Sequence, residues 1–86
     1  MQPTLIKAYI ENGLTDTEAH VEGDGAHFTA IVISPAFAGA SRVARQQMVY
    51  NTVHEQLMDG TLHALSLKTF TPEEWISQQN NAPDGV

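Results

Sequence analysis

The sequence contains no cysteine, and only four of its 86 residues are lysine or arginine. The lack of cysteine excludes disulfides, thiolate nucleophiles and cysteine-bound zinc, so a metal would need histidine, carboxylate or thiolates from a partner. Ten acidic residues give a formal net charge of −6. That charge argues against broad nucleic-acid binding, which requires lysine and arginine to displace counterions. No apolar run is long enough to cross a membrane and no signal peptide is apparent, so we expect a cytoplasmic protein.

The length limits the chain to one small domain, which buries only about 60–65% of the surface that the unfolded chain exposes. Apolar residues at helical spacing predict a first helix over residues 3–13, with Pro3 in its first turn and Gly13 as its stop. We expect the folded domain to occupy residues 1–78. The polar residues 79–86 are predicted to form a flexible tail.

A β-hairpin is predicted where Asp24-Gly25 separates two strand-like segments, 17–23 and 26–34. Asp-Gly is typical of two-residue hairpin turns because both positions need positive φ. This turn predicts that Glu22 lies opposite His27. The second segment is apolar on both faces over residues 30–33, which indicates a central strand.

The second half of the chain predicts a long helix over residues 42–58, with Ser41 as its N-cap, followed by a third strand over 62–70. Residues 71–74 have the form of a capping box and begin a short final helix. The resulting order is αββαβα. Because a helix joins the second and third strands, they are expected to run parallel through a right-handed crossover. The predicted fold class is α+β, with a three-stranded mixed sheet and helices mainly on one face.

Histidine is the residue type that offers chemistry in this chain. His63, at the start of the predicted third strand, is either a core-edge residue bound to a backbone carbonyl or a metal ligand. His27 is either a solvated partner of Glu22 or a second ligand. His20 and His54 show no pattern beyond surface or helix polarity. No His-x-x-x-His spacing joins the four histidines, so a self-contained zinc site is not expected.

Other chemistries find less support. Ser41 near a histidine would be needed for a hydrolase, but no Gly-x-Ser-x-Gly motif exists and a capping role explains this serine. The helix start beside Arg42 and Arg45 is either a phosphate-binding site or a solvated first turn. Nothing in these residues identifies an enzyme, and we expect none.

Three segments together resemble a known family. Residues 37–50, from Phe37-Ala38-Gly39 to Met48-Val49-Tyr50, resemble the central motif of the BolA family. Residues 63–75, which run from His63-Ala64-Leu65 to Glu74-Trp75, resemble its C-terminal motif. The hairpin segment 21–28 resembles that of the bacterial IbaG (YrbA) subgroup. The resemblance extends from about residue 5 to residue 75.

The resemblance implies an αββααβα fold similar to class II KH domains, with a short helical turn within residues 35–40. It implies a non-enzymatic partner of monothiol glutaredoxins that shares a [2Fe-2S] cluster in a heterodimer, in iron–sulfur trafficking or iron and stress sensing. The glutaredoxin would supply a cysteine and a glutathione thiolate. His63 matches the family's histidine ligand, and His27 holds the position of the second ligand. The isolated chain is expected to bind no cluster.

The family also includes proteins described as transcriptional regulators, which gives an alternative function. DNA would then contact the KH-like helix start around residues 39–45 through Arg42 and Arg45, with Lys68 nearby. The net charge of −6 departs from that role. So does Gln46-Gln47, where basic residues are common in the family. Any DNA binding is therefore expected to be weak.

Overall fold

The computed structural model describes residues 1–80 and contains, within them, four α-helices and one three-stranded sheet. In chain order the elements are α1 (Pro3–Gly13), β1 (Glu18–Gly23), β2 (His27–Ile33), a 3₁₀ turn (Pro35–Phe37), α2 (Arg42–Thr52), α3 (His54–Met58), β3 (Ala64–Phe70) and α4 (Pro72–Asn80). This order confirms the predicted α+β class and the turn implied between the second strand and second helix. Helix α4 continues through Asn80, and the rest of the predicted tail lies outside the described residues.

The sheet has the order β1-β2-β3, with β2 in the centre. Strands β1 and β2 are antiparallel, and β2 and β3 are parallel with His27 beside Ala64 and Ile33 beside Phe70. The mixed sheet and the parallel pairing of β2 with β3 are therefore confirmed. The parallel pair matters for function because both strands begin at the same end of the sheet.

The core lies between one face of the sheet and helices α1 and α2. Alternate strand residues point to this face, as the period of two requires. The buried apolar residues of this core are Ile6, Ile10, Ala19, Phe28, Ala30, Val32, Phe37, Val49, Val53, Leu62, Leu65 and Leu67. Full burial of one large apolar side chain contributes about 1.5–3 kcal/mol. Helix α4 contacts the other face, where the Trp75 ring lies 5.2 Å from that of Phe70. Helices thus pack mainly on one face, as predicted.

The predicted hairpin register is wrong by two residues. Gly23 pairs with Phe28, and Glu22 pairs with Thr29 rather than with His27. The two central turn residues are Gly25, with φ of 99°, and Ala26. Asp24 acts through its side chain instead, since Oδ1 accepts hydrogen bonds from Ala26 N and His27 N, each 3.0 Å long. A shift of two residues keeps every side chain on its predicted face, so the predicted core face of the hairpin is confirmed.

The predicted single helix over residues 42–58 is also wrong, because the helix is interrupted at Val53. This residue has φ of −119° and ψ of 22°, and its N–H donates to Tyr50 O, three residues back. The hydroxyl of Thr52 donates to Val49 O at 2.6 Å. A threonine side chain bonded to a preceding carbonyl competes with the helical ladder. Helix α2 therefore ends at Thr52, and α3 begins at His54.

The predicted helix caps are confirmed. Ser41 Oγ accepts from Ala44 N at 3.1 Å. In the capping box of α4, Thr71 Oγ1 accepts from Glu74 N at 3.1 Å, and Glu74 Oε1 accepts from Thr71 N at 2.9 Å. These reciprocal bonds satisfy donors that a helix start leaves without partners. Within residues 1–80 no helix is both long and apolar enough to cross a membrane.

Candidate functional site

His63 lies on a short connection that its neighbours fix firmly. Asp59 Oδ1 accepts hydrogen bonds from Thr61 N at 2.9 Å and from the Thr61 hydroxyl at 2.7 Å, and these bonds lower the pKa of Asp59. Gly60 supplies the positive φ of 83° that the turn requires. Leu62 is buried, and its N–H donates to Gln56 O at 3.0 Å. The backbone on both sides of the histidine is thus anchored.

The side chain of His63 is exposed. Strand β3 begins at Ala64, the residue after His63, whereas the predicted strand began at residue 62. Within residues 1–80 its imidazole makes no hydrogen bond to a backbone carbonyl. The interpretation of His63 as a core-edge residue bound to a carbonyl is therefore wrong. Its ring is available to a ligand from outside the chain.

His27 is the first residue of β2, and its position is set by the hairpin turn. Besides receiving the His27 N–H, Asp24 donates its own N–H to His27 O at 3.3 Å. The backbone N–H groups of His27 and Ala26 lower the pKa of the Asp24 carboxyl because they stabilise its charged form. The aspartate thus serves the conformation of the turn, and the His27 side chain is left exposed.

The parallel register brings His27 and His63 to the same end of the sheet. His27 pairs with Ala64, the residue after His63. The Cα atoms of His27 and His63 are therefore within about 9 Å of each other. Adjacent strands lie about 4.8 Å apart, and consecutive Cα atoms lie about 3.8 Å apart. His63 precedes the first residue of β3, so the alternation of that strand does not fix its direction.

These two residues fit half of a metal site and no more. Iron–sulfur clusters are normally held by thiolates, with two histidines replacing two cysteines in Rieske-type centres. At this end of the sheet the chain offers two of its four imidazoles, and it contains no cysteine. Within residues 1–80, no three histidine, cysteine, aspartate or glutamate side chains are grouped so that they could hold a metal ion. The donor set suits a cluster whose remaining ligands come from another molecule.

The other two histidines lie elsewhere. His20 is on the opposite face of β1 from the core, where its Nε2 lies 2.6 Å from Glu18 Oε2 and its ring stacks on Trp75 with centroids 6.3 Å apart. Sequence reasoning missed this contact; the outward position of His20 in the strand pattern was its only signal. His54 is exposed at the start of α3.

The three basic residues predicted for nucleic-acid binding lie together. They line a cleft of about 530 Å³ beside the end of β3, which we call the basic cleft; its lining consists of Ala40, Arg42, Arg45, Lys68, Thr69, Phe70 and Gln78. Arg42 and Lys68 are exposed, and neither forms an ion pair within residues 1–80.

Arg45 is engaged by the fold. Its guanidinium donates two hydrogen bonds to the Glu74 carboxylate, at 2.7 and 3.1 Å, and Nε donates to Ala40 O at 2.9 Å. Arg45 first, and then the backbone N–H of Thr71, lower the pKa of Glu74 to about 2. Paired arginine and carboxylate groups of this kind are geometrically matched. Arg45 therefore forms a wall of the basic cleft, and Arg42 and Lys68 carry its available charge.

The fold and its surfaces define a small α+β domain with two exposed histidines at one end of a mixed sheet and a basic cleft towards the other. The family model described as BolA-like protein matches residues 2–74, and the chain belongs to the BolA family.

Its relatives and structural neighbours agree with this assignment. It is 43% identical to the acid stress protein IbaG of Escherichia coli over 75 residues, which cover 87% of this chain and 89% of that protein. It is 35% identical to the DNA-binding transcriptional regulator BolA of Haemophilus influenzae over 72 residues, covering 79% and 69%. The solved structure of a BolA homologue from Coxiella burnetii superposes with a TM-score of 0.80, at 42% identity, covering 88% of this chain and 97% of that one.

Proposed function

We propose that this protein is an adaptor that pairs with a monothiol glutaredoxin and holds a [2Fe-2S] cluster jointly with it. His63 and His27 supply two ligands; the glutaredoxin cysteine and its bound glutathione supply two thiolates. The observation that carries this proposal is the pairing of His27 with Ala64, which brings two exposed histidines to one end of β2 and β3. The protein acts in iron–sulfur trafficking or in iron and stress sensing, and not as an enzyme.

The chemistry of the ligands supports an assembled site. A cluster with two imidazole and two thiolate ligands has a higher reduction potential than one with four thiolates. Only neutral imidazole binds metal, so cluster binding weakens as histidine becomes protonated at low pH. A chain without cysteine depends on its partner for both thiolates.

The test is reconstitution of the full chain with a monothiol glutaredoxin, glutathione, iron and sulfide. We expect visible absorption and circular dichroism spectra that differ from those of the glutaredoxin homodimer. His63→Ala should abolish the difference, and His27→Ala should change the spectrum and weaken the cluster. His54→Ala is the matched control, since it removes an exposed histidine at another place and should change nothing. An unchanged spectrum for His63→Ala would show that the ligand assignment is wrong.

The second candidate function is transcriptional regulation through weak DNA binding at the basic cleft. It is favoured by the grouping of Arg42, Arg45 and Lys68 and by the relative named as a DNA-binding regulator. Because Arg45 is bound to Glu74, only Arg42 and Lys68 are available to phosphates. Two phosphate contacts give a slope of about −1.8 in a plot of log affinity against log salt. Absence of saturable binding at low salt would exclude this function.

A further inference from the structure

The outer edge of β3 is an unpaired strand edge over part of its length. Ser34 N donates to Phe70 O at 2.9 Å, which continues the β2–β3 ladder and fixes its alternation. Phe70 and every second residue before it therefore bond to β2, whereas Leu65, Leu67 and Thr69 direct their N–H and C=O groups away from the sheet. The hydroxyl of Tyr50 donates to Leu65 O at 3.0 Å, which agrees with this alternation and closes the first of these positions.

Beyond Leu65 the outward backbone groups of β3 have no partner within residues 1–80. These groups are the N–H and C=O of Leu67 and of Thr69. Unpaired groups on an edge strand are a template for another extended chain. Thr69 also lines the basic cleft, so the unpaired part of the edge leads directly into it.

The opposite edge of the sheet also has one closed position, at Ala19, and differs from the β3 edge in charge. At Ala19 of β1, Glu11 Oε2 accepts from the outward N–H at 2.9 Å, and Lys7 Nζ donates to the outward carbonyl at 2.6 Å. Side chains of α1 thus cover that position. The neighbouring residues Glu18 and Glu22 make this edge acidic. The β3 edge instead has Arg42 and Lys68 beside it, while Glu73 and the Arg45-paired Glu74 lie on the α4 side of Thr69.

From these observations we infer that the β3 edge is a docking site for an extended acidic segment of a partner protein, which adds to the sheet as a fourth strand. The peptide backbone pairs with the outward groups of Leu67 and Thr69. Its acidic side chains meet Arg42 and Lys68, which carry exposed positive charge in a chain of net charge −6. Strand addition of this kind takes affinity from main-chain bonds and specificity from the neighbouring side chains. Tyr50 limits the site at one end.

A peptide suits this site better than a nucleic acid. Nucleic-acid affinity grows with the number of phosphates neutralised, and only two cations of the cleft are available. The backbone groups of Leu67 and Thr69 match the repeat of an extended peptide, in which every second residue bonds to the same neighbour. The docking site is independent of the histidines, so it stands or falls separately from the cluster.

The test uses the full chain and a labelled ten-residue peptide of alternating valine and glutamate. We expect saturable binding, with slower hydrogen exchange at the amides of Leu67 and Thr69 and no change at Val21 of the other edge. The Arg42→Glu/Lys68→Glu double variant should weaken binding about tenfold, since two attractions become repulsions. Gln47→Glu, which adds a negative charge at an exposed position outside the cleft, is the control and should retain binding.

Two further probes separate the proposal from its rivals. A peptide with an N-methyl group on every residue loses its main-chain donors and should not bind. Lysine in place of glutamate should also abolish binding. The proposal is overturned if the acidic peptide fails to bind, if it binds without protecting Leu67 and Thr69, or if the lysine peptide binds equally well. It is also overturned if single-stranded DNA protects these amides and the peptide does not.

Discussion

Gly23 is required by the close approach of the two hairpin strands, and replacing it tests the register that carries His27. A Cβ atom at this position would lie 2.4 Å from His27 O and 2.6 Å from Phe28 Cδ1. It would also lie 2.8 Å from Phe28 Cα. Two of these three atoms belong to the backbone of β2, so Gly23→Ala forces the start of that strand to move.

The expected cost follows from these contacts. Overpacking a tight site costs about 1–3 kcal/mol. Alanine recovers about 0.5–1 kcal/mol of this, because glycine in a strand loses more conformational entropy on folding. The φ of Gly23 is not positive, so alanine adds no backbone strain there. We therefore expect Gly23→Ala to lower the free energy of unfolding by up to about 2.5 kcal/mol.

Urea denaturation measures this loss, and amide spectra of ¹⁵N-labelled protein locate it. The signals of His27 and Phe28 should shift most in Gly23→Ala. Gly25→Ala is the comparison, since its Cβ meets nothing within 4 Å and its φ of 99° makes the cost one of strain within the turn. Wild-type stability of Gly23→Ala, with unchanged signals for His27 and Phe28, would refute the register and the position it gives to His27.

Three further predictions concern elements around the two surfaces. Because Arg45 lowers the pKa of Glu74 from 4.5 to about 2, the stability that this carboxylate adds is complete above about pH 4.5 and is lost as pH falls towards 2. The stability difference between wild type and Glu74→Gln, measured by urea denaturation, should therefore shrink from pH 6 to pH 3; a constant difference would contradict the ion pair. Leu62 is 1% exposed, and Leu62→Ala should lower the free energy of unfolding by about 2–5 kcal/mol. Leu5 is 45% exposed, and Leu5→Ala should lower it much less. Equal losses of stability in the two variants would argue against the anchoring of His63. Thr71→Ala should cost about 0.5–2 kcal/mol and alter Trp75 fluorescence, and Thr71→Ser, which keeps the capping hydroxyl, should restore both.

Local chemistry made much of the fold predictable from the sequence. Ser41 and the Thr71–Glu74 pair were recognised as caps because each side chain bonds to backbone within three residues of itself. The first helix was predicted with its observed bounds, Pro3–Gly13. The core faces of the strands followed from alternation alone. These features depend on near neighbours in the chain, which a sequence displays directly.

The errors arose where the structure depends on distant contacts or on competing local hydrogen bonds. Val53 continues the apolar spacing of α2, so periodicity gave no sign that the helix ends before it. The turn at Asp24-Gly25 had two possible registers, and the side-chain bonds of Asp24 to Ala26 and His27 favour the one not predicted. The approach of His27 to His63 could not come from spacing, because it depends on the parallel register. The resemblance to a family supplied that pairing of roles, whereas the pattern supplied only two separate histidines.

The four basic residues of this chain fall into two pairs, one bonded within the fold and one without such bonds. Lys7 bonds to Glu11 and Ala19, and Arg45 bonds to Glu74 and Ala40, so both are engaged in holding the fold together. Arg42 and Lys68 have no such partners within residues 1–80, and they lie together in the basic cleft. Charge that the fold does not use is therefore concentrated at one place, where the strand edge is also unpaired.

The two surfaces lie towards opposite ends of β3. His63 immediately precedes β3, and Lys68 lies within β3. The two residues are five positions apart, a distance of roughly 16 Å along an extended chain. The partner that we propose at the histidines would therefore leave the basic cleft uncovered unless it extended along the whole strand. On the two proposals made above, one chain would contact two partners at once, with β3 between them. This geometry suits an adaptor, because each contact is made by residues that the other does not need.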